Sequence, residues 1–183
     1  RRGQEIVALI LPKNYHEVAA IERNGISWIE PELAERQDIR PLRIGIINIM
    51  PLGMQYEFNL LHPLGLSPLQ IEPVWIRLQS HDYKTWDHDH LDQQYRSWEQ
   101  ANASASLDGL IITGAPVEHL AYEQVTYWQE MVELVGIART QCASTLGLCW
   151  AGFALAYLAG VNKTAFAKKL FGVFPMRSLK PGH

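Results

Sequence analysis

The stretch Ser144-Thr145-Leu146-Gly147-Leu148-Cys149-Trp150-Ala151-Gly152 joins an apolar strand directly to a helix, with a cysteine at the junction. Small residues lie two positions before Cys149 and two and three positions after it. This is the layout of a nucleophile elbow with cysteine in place of serine, because larger side chains would collide across so tight a turn. The helix N-terminus would stabilise a Cys149 thiolate, and the Trp150 N–H would donate to an oxyanion. The alternative is a buried structural cysteine, and spacing alone does not decide between the two.

Apolar segments of strand length alternate with helical segments from residue 41 onward. The strand candidates are residues 42–50, 69–78, 109–113 and 143–148. The helix candidates are residues 55–64, 90–103, 122–138 and 150–158. This alternation predicts an α/β domain with a parallel sheet flanked by helices, whose ligands bind at the carboxyl ends of the strands. Pro73 lies inside the second strand candidate and favours an edge position or a bulge there.

Composition bounds the remaining organisation of the chain. Its 183 residues are 48% hydrophobic, which suits one packed domain, with residues 1–40 as an N-terminal extension packing on the core and residues 41–183 as the α/β domain. The net charge of -3 and the lack of a basic run make nucleic acid an unexpected partner. No apolar run approaches the roughly 20 residues that cross a bilayer. Cys142 and Cys149 are expected to be unpaired, because an intervening strand separates them by roughly 23 Å, and unpaired thiols suit the cytoplasm.

Two further groups of residues are candidates for a site at the carboxyl edge of the sheet. Gly114-Ala115-Pro116 follows the third strand, where glycine allows close approach of a ligand and could supply a second oxyanion N–H, although a plain turn has the same sequence. Glu118 could shape an acyl pocket or be a solvated surface carboxylate. His62 and His119 are candidate bases for Cys149, with His119 the better placed.

A segment rich in aspartate and histidine follows the second strand. It contains His81, Asp82, Asp87, His88, Asp89 and His90. Because the spacing implies no ligand geometry, a solvated loop is expected and no metal ligand is assigned.

Several stretches in order along the chain resemble one known family. The most specific are Gly109-Leu110-Ile111-Ile112-Thr113-Gly114-Ala115-Pro116-Val117-Glu118 and Lys169-Leu170-Phe171-Gly172-Val173-Phe174, joined by residues 41–51, 67–71, 127–128, 144–146 and 149–150. Together they resemble the homoserine O-acyltransferases of the MetA type, also called homoserine O-succinyltransferases.

The resemblance implies a flavodoxin-like fold similar to class I glutamine amidotransferases, incomplete at the C-terminus here because the family's catalytic His and Glu would lie beyond His183. It implies transfer of an acyl group from acyl-CoA to the hydroxyl of L-homoserine through a thioester on Cys149, in methionine biosynthesis. The partners would be small-molecule substrates, with no bound cofactor. The resemblance also suggests a homodimer, without fixing an interface.

The resemblance also assigns roles to particular residues. Lys169 matches a substrate-binding lysine that would pair with the carboxylate of the amino acid. Glu118 matches the position of acyl-donor choice, where a carboxylate would repel a succinyl group, which favours acetyl-CoA as co-substrate. The chain departs from the family at Leu52-Gly53, where lysines usually follow Met-Pro, and at Phe153, where glutamine is frequent.

Three alternatives to homoserine O-acetyl transfer remain open at this point. A related enzyme could acetylate serine, in cysteine biosynthesis. A cysteine hydrolase similar to the glutamine amidotransferases would use the same turn. A non-catalytic member of the family would explain the lost lysines.

Overall fold

The computed structural model describes residues 9–168, 170 and 172–179, and its centre is one sheet in which all strand pairings are parallel. The strands are β1 (Leu9–Ile10), β2 (Trp28–Ile29), β3 (Leu42–Ile47), β4 (Ile71–Ile76), β5 (Gly109–Ile112) and β6 (Ser144–Gly147). Their order across the sheet is β2-β1-β4-β3-β5-β6. The predicted α/β fold with a parallel sheet is therefore confirmed.

Helices cover both faces of this sheet. They are α1 (Val18–Arg23), α2 (Pro31–Ala34), α3 (Glu57–Gly65), α4 (His88–Gln94), α5 (Trp98–Asn102), α6 (Trp128–Gln141) and α7 (Trp150–Leu158). One apolar core contains residues of α5, α6 and α7, and the other contains residues of α1, α3 and α4. Neighbouring residues of β3 divide between them, with Ile47 in the first core and Ile46 in the second. Burial on both faces explains why this strand is a nearly continuous apolar run.

Two of the predicted helices are wrong in extent. The helix expected over residues 90–103 is broken into α4 and α5, because Arg96 bonds to the edge of β4: its N–H donates to Trp75 O and its O accepts from Arg77 N, both at 2.9 Å. Ser97 then caps α5 in a reciprocal arrangement with Gln100. The helix expected from residue 122 starts at Trp128, after a short 3₁₀ turn at Tyr122–Gln124.

The segment before residue 41 contributes strands to the sheet. β1 pairs with β2 and meets β4 at the single pair Leu9–Ile71. β4 therefore lies inside the sheet, yet within the described part of the chain no strand borders its outer edge beside Pro73. The Trp75 carbonyl points to Arg96 on that outer edge. Because alternate residues of a strand direct their backbone groups to the same side, the backbone nitrogen of Pro73 also faces the outer edge and not β3. Its missing N–H thus removes no bond to β3, which is why proline is tolerated.

The carboxyl ends of β3, β5 and β6 are neighbours in the sheet. The residues that follow them, Met50-Pro51, Gly114-Ala115-Pro116 and Leu148-Cys149, consequently lie at one edge, as predicted for this fold. Among the described residues, no helix has the length and apolar character needed to cross a membrane.

Candidate active site

Cys149 occupies a tight turn between β6 and α7. Its backbone has φ 54° and ψ −121°, and it shares a positive φ with only one other described non-glycine residue, Leu52. A residue held in such a region stores about 1–3 kcal/mol of strain, which the surrounding structure has to offset. The Leu148 N–H donates to Ile112 O at 2.8 Å on one side, and the Gly152 N–H donates to Cys149 O at 3.0 Å on the other. Cys149 is exposed, so the alternative of a buried structural cysteine is wrong.

The glycines around this turn leave no room for a side chain. A Cβ atom on Gly147 would lie 2.7 Å from backbone atoms of Ala151 and Gly152. A Cβ atom on Gly114 would lie 2.7 Å from Cys149 Cβ and 3.1 Å from its Sγ. The end of β5 therefore packs directly against Cys149, and the predicted need for small residues at the elbow is confirmed at Gly147.

Trp150 anchors the start of α7 in an aromatic cluster. Its indole is buried, and its ring centroid lies 6.1 Å from Tyr122, 5.9 Å from Tyr127 and 6.4 Å from Trp128. Its backbone N–H belongs to the first turn of the helix, where amides lack intrahelical acceptors. A Cβ atom added to Gly114 would lie 3.4 Å from the Trp150 nitrogen, so the two backbone segments approach each other closely. An oxyanion held between them would face the backbone of both Gly114 and Trp150.

Hydrogen bonds tie the ends of β3 and β5 to the loop that follows β3. Thr113 Oγ1 accepts from the Ile49 N–H at 2.9 Å and donates to Asn48 Oδ1 at 3.3 Å. The Asn48 amide in turn donates to Gly53 O at 3.0 Å. These groups are buried, so each bond removes a desolvation cost as well as fixing the loop.

The Trp86 ring packs so closely on Gly53 that it explains why position 53 is a glycine. A Cβ atom on Gly53 would fall 1.8 Å from Cζ2 of the Trp86 ring, and the Trp86 indole N–H donates to Met50 O at 3.0 Å. No side chain fits at position 53 while Trp86 stays in place. The predicted departure from the family at Leu52-Gly53 thus coincides with a tryptophan that fills the space beside position 53.

Cys149 and Glu118 line the same cavity, which has a volume of about 500 Å³. Its wall is formed by Met50, Pro51, Leu52, Tyr56, Ala115, Pro116, Glu118, Cys149, Trp150 and Phe153. Glu118 is the one charged side chain among these lining residues. The structure therefore brings together four predicted site residues or their neighbours: the nucleophile, the Trp150 amide, the Gly114 turn and the donor-selecting carboxylate.

Lys163 fixes the loop that carries Glu118, and sequence reasoning missed it. The Lys163 ammonium donates to Glu118 O at 2.8 Å and to Leu120 O at 2.6 Å, and lies 4.8 Å from the centroid of the Tyr122 ring. It borders a neighbouring cavity of about 470 Å³ that shares Glu118, Trp150 and Phe153 with the first. Because its partners are backbone carbonyls, no side-chain pattern in the sequence signals this contact.

The candidate bases do not line the Cys149 cavity. His119 is almost fully exposed and sits 3.6 Å from Glu118 on the neighbouring cavity. His62 lies in α3, with its ring against Phe58. Lys169 and His183 lie outside the described residues, so the prediction for Lys169 stays a prediction.

The segment rich in aspartate and histidine is only partly a solvated loop. His88 and His90 belong to α4, and the His90 side chain is largely buried, because Nε2 lies 2.8 Å from the buried carboxylate of Glu57. His81 packs against the rings of Tyr83 and Tyr127, and this burial lowers the pKa of His81.

The fold and the site define an α/β protein of the nucleophile-elbow type, with an exposed cysteine as the residue at the turn. Residues 8–183 match the family model described as "HTS: Homoserine O-succinyltransferase", and the chain belongs to this family of homoserine O-acyltransferases. The predicted resemblance is thereby confirmed.

Curated relatives carry the name homoserine O-acetyltransferase. One from Jannaschia sp. (strain CCS1) is 41% identical over 166 residues, which cover 90% of this chain and 53% of the relative. One from Roseobacter denitrificans is 41% identical over 172 residues, covering 93% and 56%. One from Bacteroides thetaiotaomicron is 41% identical over 176 residues, covering 96% and 57%. The chain therefore spans about half the length of the curated relatives it matches.

Proposed function

We propose that the protein containing this chain transfers an acetyl group from acetyl-CoA to the hydroxyl of L-homoserine, with Cys149 as the nucleophile. The observation that carries the proposal is the shared cavity of Cys149 and Glu118, in a member of the homoserine O-succinyltransferase family. The names of the relatives support acetyl as the transferred group.

The first half-reaction moves the acetyl group onto the enzyme. The Cys149 thiolate attacks the thioester carbonyl of acetyl-CoA, a new carbon–sulfur bond forms, and the bond to CoA breaks so that CoA leaves as a thiolate. The Trp150 N–H donates to the transient oxyanion, and we assign the second donor to the Gly114 N–H. A preorganised donor of this kind contributes about 3–4 kcal/mol to such transition states.

The second half-reaction delivers the acetyl group to the acceptor. The hydroxyl of homoserine attacks the Cys149 thioester, the ester bond forms, and the cysteine thiolate is regenerated. The hydroxyl proton passes to a base that is not among the described residues lining the cavity. We assign binding of the acceptor carboxylate to Lys169, in line with the resemblance.

Glu118 selects the acyl donor in this proposal. Apart from Cys149, the rest of the described cavity wall carries no ionisable acid or base that would be charged near neutral pH, so a succinyl carboxylate would meet the like charge of Glu118 without a cation to offset it. Repulsion of this kind rejects the wrong substrate without any contact to the correct one. An acetyl group has no such charge.

The wider assignments follow from the same proposal. Acylation of homoserine would serve methionine biosynthesis, and the two free thiols suit a reducing cytoplasm. A homodimer, the lack of a nucleic-acid partner and the lack of a bound cofactor all stay predictions.

Mass spectrometry of the full-length protein after exposure to acetyl-CoA alone tests the nucleophile. We expect one acetyl adduct on Cys149, retained in Cys142→Ala and lost in Cys149→Ala. Cys142 is the matched control because it is half-buried and its pKa is raised by burial and by the Asp108 carboxylate. An unmodified protein would favour the non-catalytic alternative.

Release of CoA identifies the acceptor. We expect release with homoserine and not with serine, and the opposite result would assign the protein to serine acetylation. Hydrolysis of glutamine without any CoA would instead support the hydrolase. Succinyl-CoA in place of acetyl-CoA tests Glu118, since Glu118→Gly should gain activity with succinyl-CoA relative to the parent protein.

A further inference from the structure

A buried carboxylate lies on the sheet face opposite α7, outside the Cys149 cavity. Glu57 is the first residue of α3 and its side chain is 0% exposed. Its Oε1 accepts from the Tyr95 hydroxyl at 2.8 Å and lies 2.8 Å from His90 Nε2, and its Oε2 accepts from the Tyr15 hydroxyl. A carboxylate oxygen has two acceptor positions, so one position on Oε2 is left over.

His16 faces that remaining position without bonding to it. Its Nε2 lies 3.8 Å from Glu57 Oε2, beyond hydrogen-bond distance, and its ring stands edge-on to His90 with centroids 4.7 Å apart. The ligand atoms of His16, Glu57 and His90 all lie within 4.8 Å of one another. Two atoms bound to one tetrahedral zinc ion, at about 2.0–2.2 Å each, are separated by roughly 3.4 Å. The distances from Glu57 to the two imidazoles, 2.8 Å from Oε1 to His90 Nε2 and 3.8 Å from Oε2 to His16 Nε2, lie on either side of that value.

We propose that His16, Glu57 and His90 bind one divalent transition-metal ion of the zinc type. Two imidazoles and one carboxylate form a common ligand set for such ions. His90 would bind through Nε2, with its proton on Nδ1. The hydroxyls of Tyr15 and Tyr95 would donate hydrogen bonds to the ligating carboxylate and so fix its orientation toward the ion.

The fourth ligand position is open to Glu17 or water. Glu17 Oε1 lies 3.4 Å from His16 Nε2 at the partly exposed rim of the site, where the His16 side chain is 24% exposed. A divalent ion bound by two neutral imidazoles and the Glu57 carboxylate would keep a net positive charge, and the Glu17 carboxylate would neutralise that charge. Ions can enter from this side.

Such an ion would join three separate parts of the chain. His16 precedes α1, Glu57 begins α3 and His90 lies in α4. Glu57 also follows directly on the 3₁₀ turn Gly53–Tyr56, which forms part of the wall of the Cys149 cavity. The site would therefore act as a clamp on the loop after β3, and binding to the folded state alone would raise its stability.

Titration of the metal-free full-length protein with Co²⁺ alone tests the proposal. Working in the Cys142→Ala, Cys149→Ala background excludes ligation by either thiolate of this chain. We expect one Co²⁺ per chain, seen as visible d–d absorption that excess Zn²⁺ abolishes, and a thermal midpoint that rises with Zn²⁺. His16→Ala should weaken Co²⁺ binding at least tenfold and remove the thermal shift. This variant is preferred because His16 makes no hydrogen bond to Glu57 and should fold.

His88→Ala is the matched control, because His88 lies on the same helix as His90 but is exposed. It should bind Co²⁺ like the parent. Failure to bind Co²⁺, equal binding in His16→Ala, or an equal loss in both variants would overturn the proposal and leave Glu57 and His90 as a hydrogen-bonded pair. None of these readouts depends on acetyl transfer.

Discussion

Gly114→Ala is expected to slow the proposed acetylation of Cys149 without unfolding the protein. The added Cβ would lie 2.7 Å from Cys149 Cβ, whereas ordinary contacts begin near 3.4 Å, so one of the two backbone segments has to move by several tenths of an ångström. Cys149 already has a strained backbone and its neighbour Gly147 is closed in by α7, so the shift falls on the end of β5 and on the Gly114 N–H. A misplacement approaching 1 Å at a reacting group costs on the order of 100-fold in rate.

The stability cost should be smaller than the kinetic one. Overpacking of this kind costs about 1–3 kcal/mol. Gly136→Ala is the matched control, since Gly136 is an exposed glycine inside α6 with nothing within 4 Å of an added Cβ, and there alanine should stabilise by roughly 0.5–1 kcal/mol.

The assay is the rate of acetyl adduct formation on Cys149, followed by mass spectrometry, with urea unfolding in parallel. We expect a rate loss near 100-fold in Gly114→Ala and none in Gly136→Ala. A Gly114→Ala protein that is acetylated at the parent rate would refute the reasoning, because it would show that close packing of β5 against Cys149 is not needed.

Three further outcomes follow from contacts around the site. Lys163→Met should raise the KM for acetyl-CoA about fivefold, which corresponds to the loss of one hydrogen bond of about 1 kcal/mol. Lys163→Arg should partly restore the KM. An unchanged KM in Lys163→Met would contradict a role of Lys163 in positioning the loop that carries Glu118. Thr113→Val should lower the free energy of unfolding, measured in urea, by about 1–3 kcal/mol, because it leaves the buried Ile49 amide unpaired. Thr140→Val, at an exposed position of α6, should change it by less than about 0.5 kcal/mol. Burial raises the pKa of Tyr127 from 10.0 to about 12, so the unfolded chain loses this proton first and stability falls as the pH rises through that window. Tyr127→Phe should show a shallower loss of stability between pH 10 and 12, and an identical slope would contradict the assignment.

Local sequence patterns were sufficient to predict the elbow at Cys149 and the central strands of the sheet. Gly147 and Gly152 face each other across one turn: an added Cβ would lie 2.7 Å from Gly152 N at position 147 and 3.1 Å from Gly147 O at position 152, and residues so near in sequence reveal such a collision locally. The strand β2 spans two residues, which is too short for any periodicity to appear. The break between α4 and α5 had a local signal in Ser97 and Gln100, yet the polar pattern around it continued and favoured one helix.

Contacts between distant residues were beyond sequence reasoning. Lys163 bonds to carbonyl groups, which every residue has, so nothing in the side chains of residues 118–120 points to it. Glu57 reads as a polar position near the start of an amphipathic helix, and its burial depends on Tyr15, 42 residues earlier. Such positions become visible only once the sheet has placed the partners side by side.

The contact between Gly53 and Trp86 constrains the order in which this chain can change. A lysine introduced at position 53 would meet the indole ring, so selection from a library that varies position 53 alone should return glycine. Replacing Trp86 first opens the space but also removes the bond to Met50 O, a step that brings no benefit by itself. The effects of substitutions at positions 53 and 86 are therefore coupled, and a basic side chain at position 53 requires a change at position 86 as well.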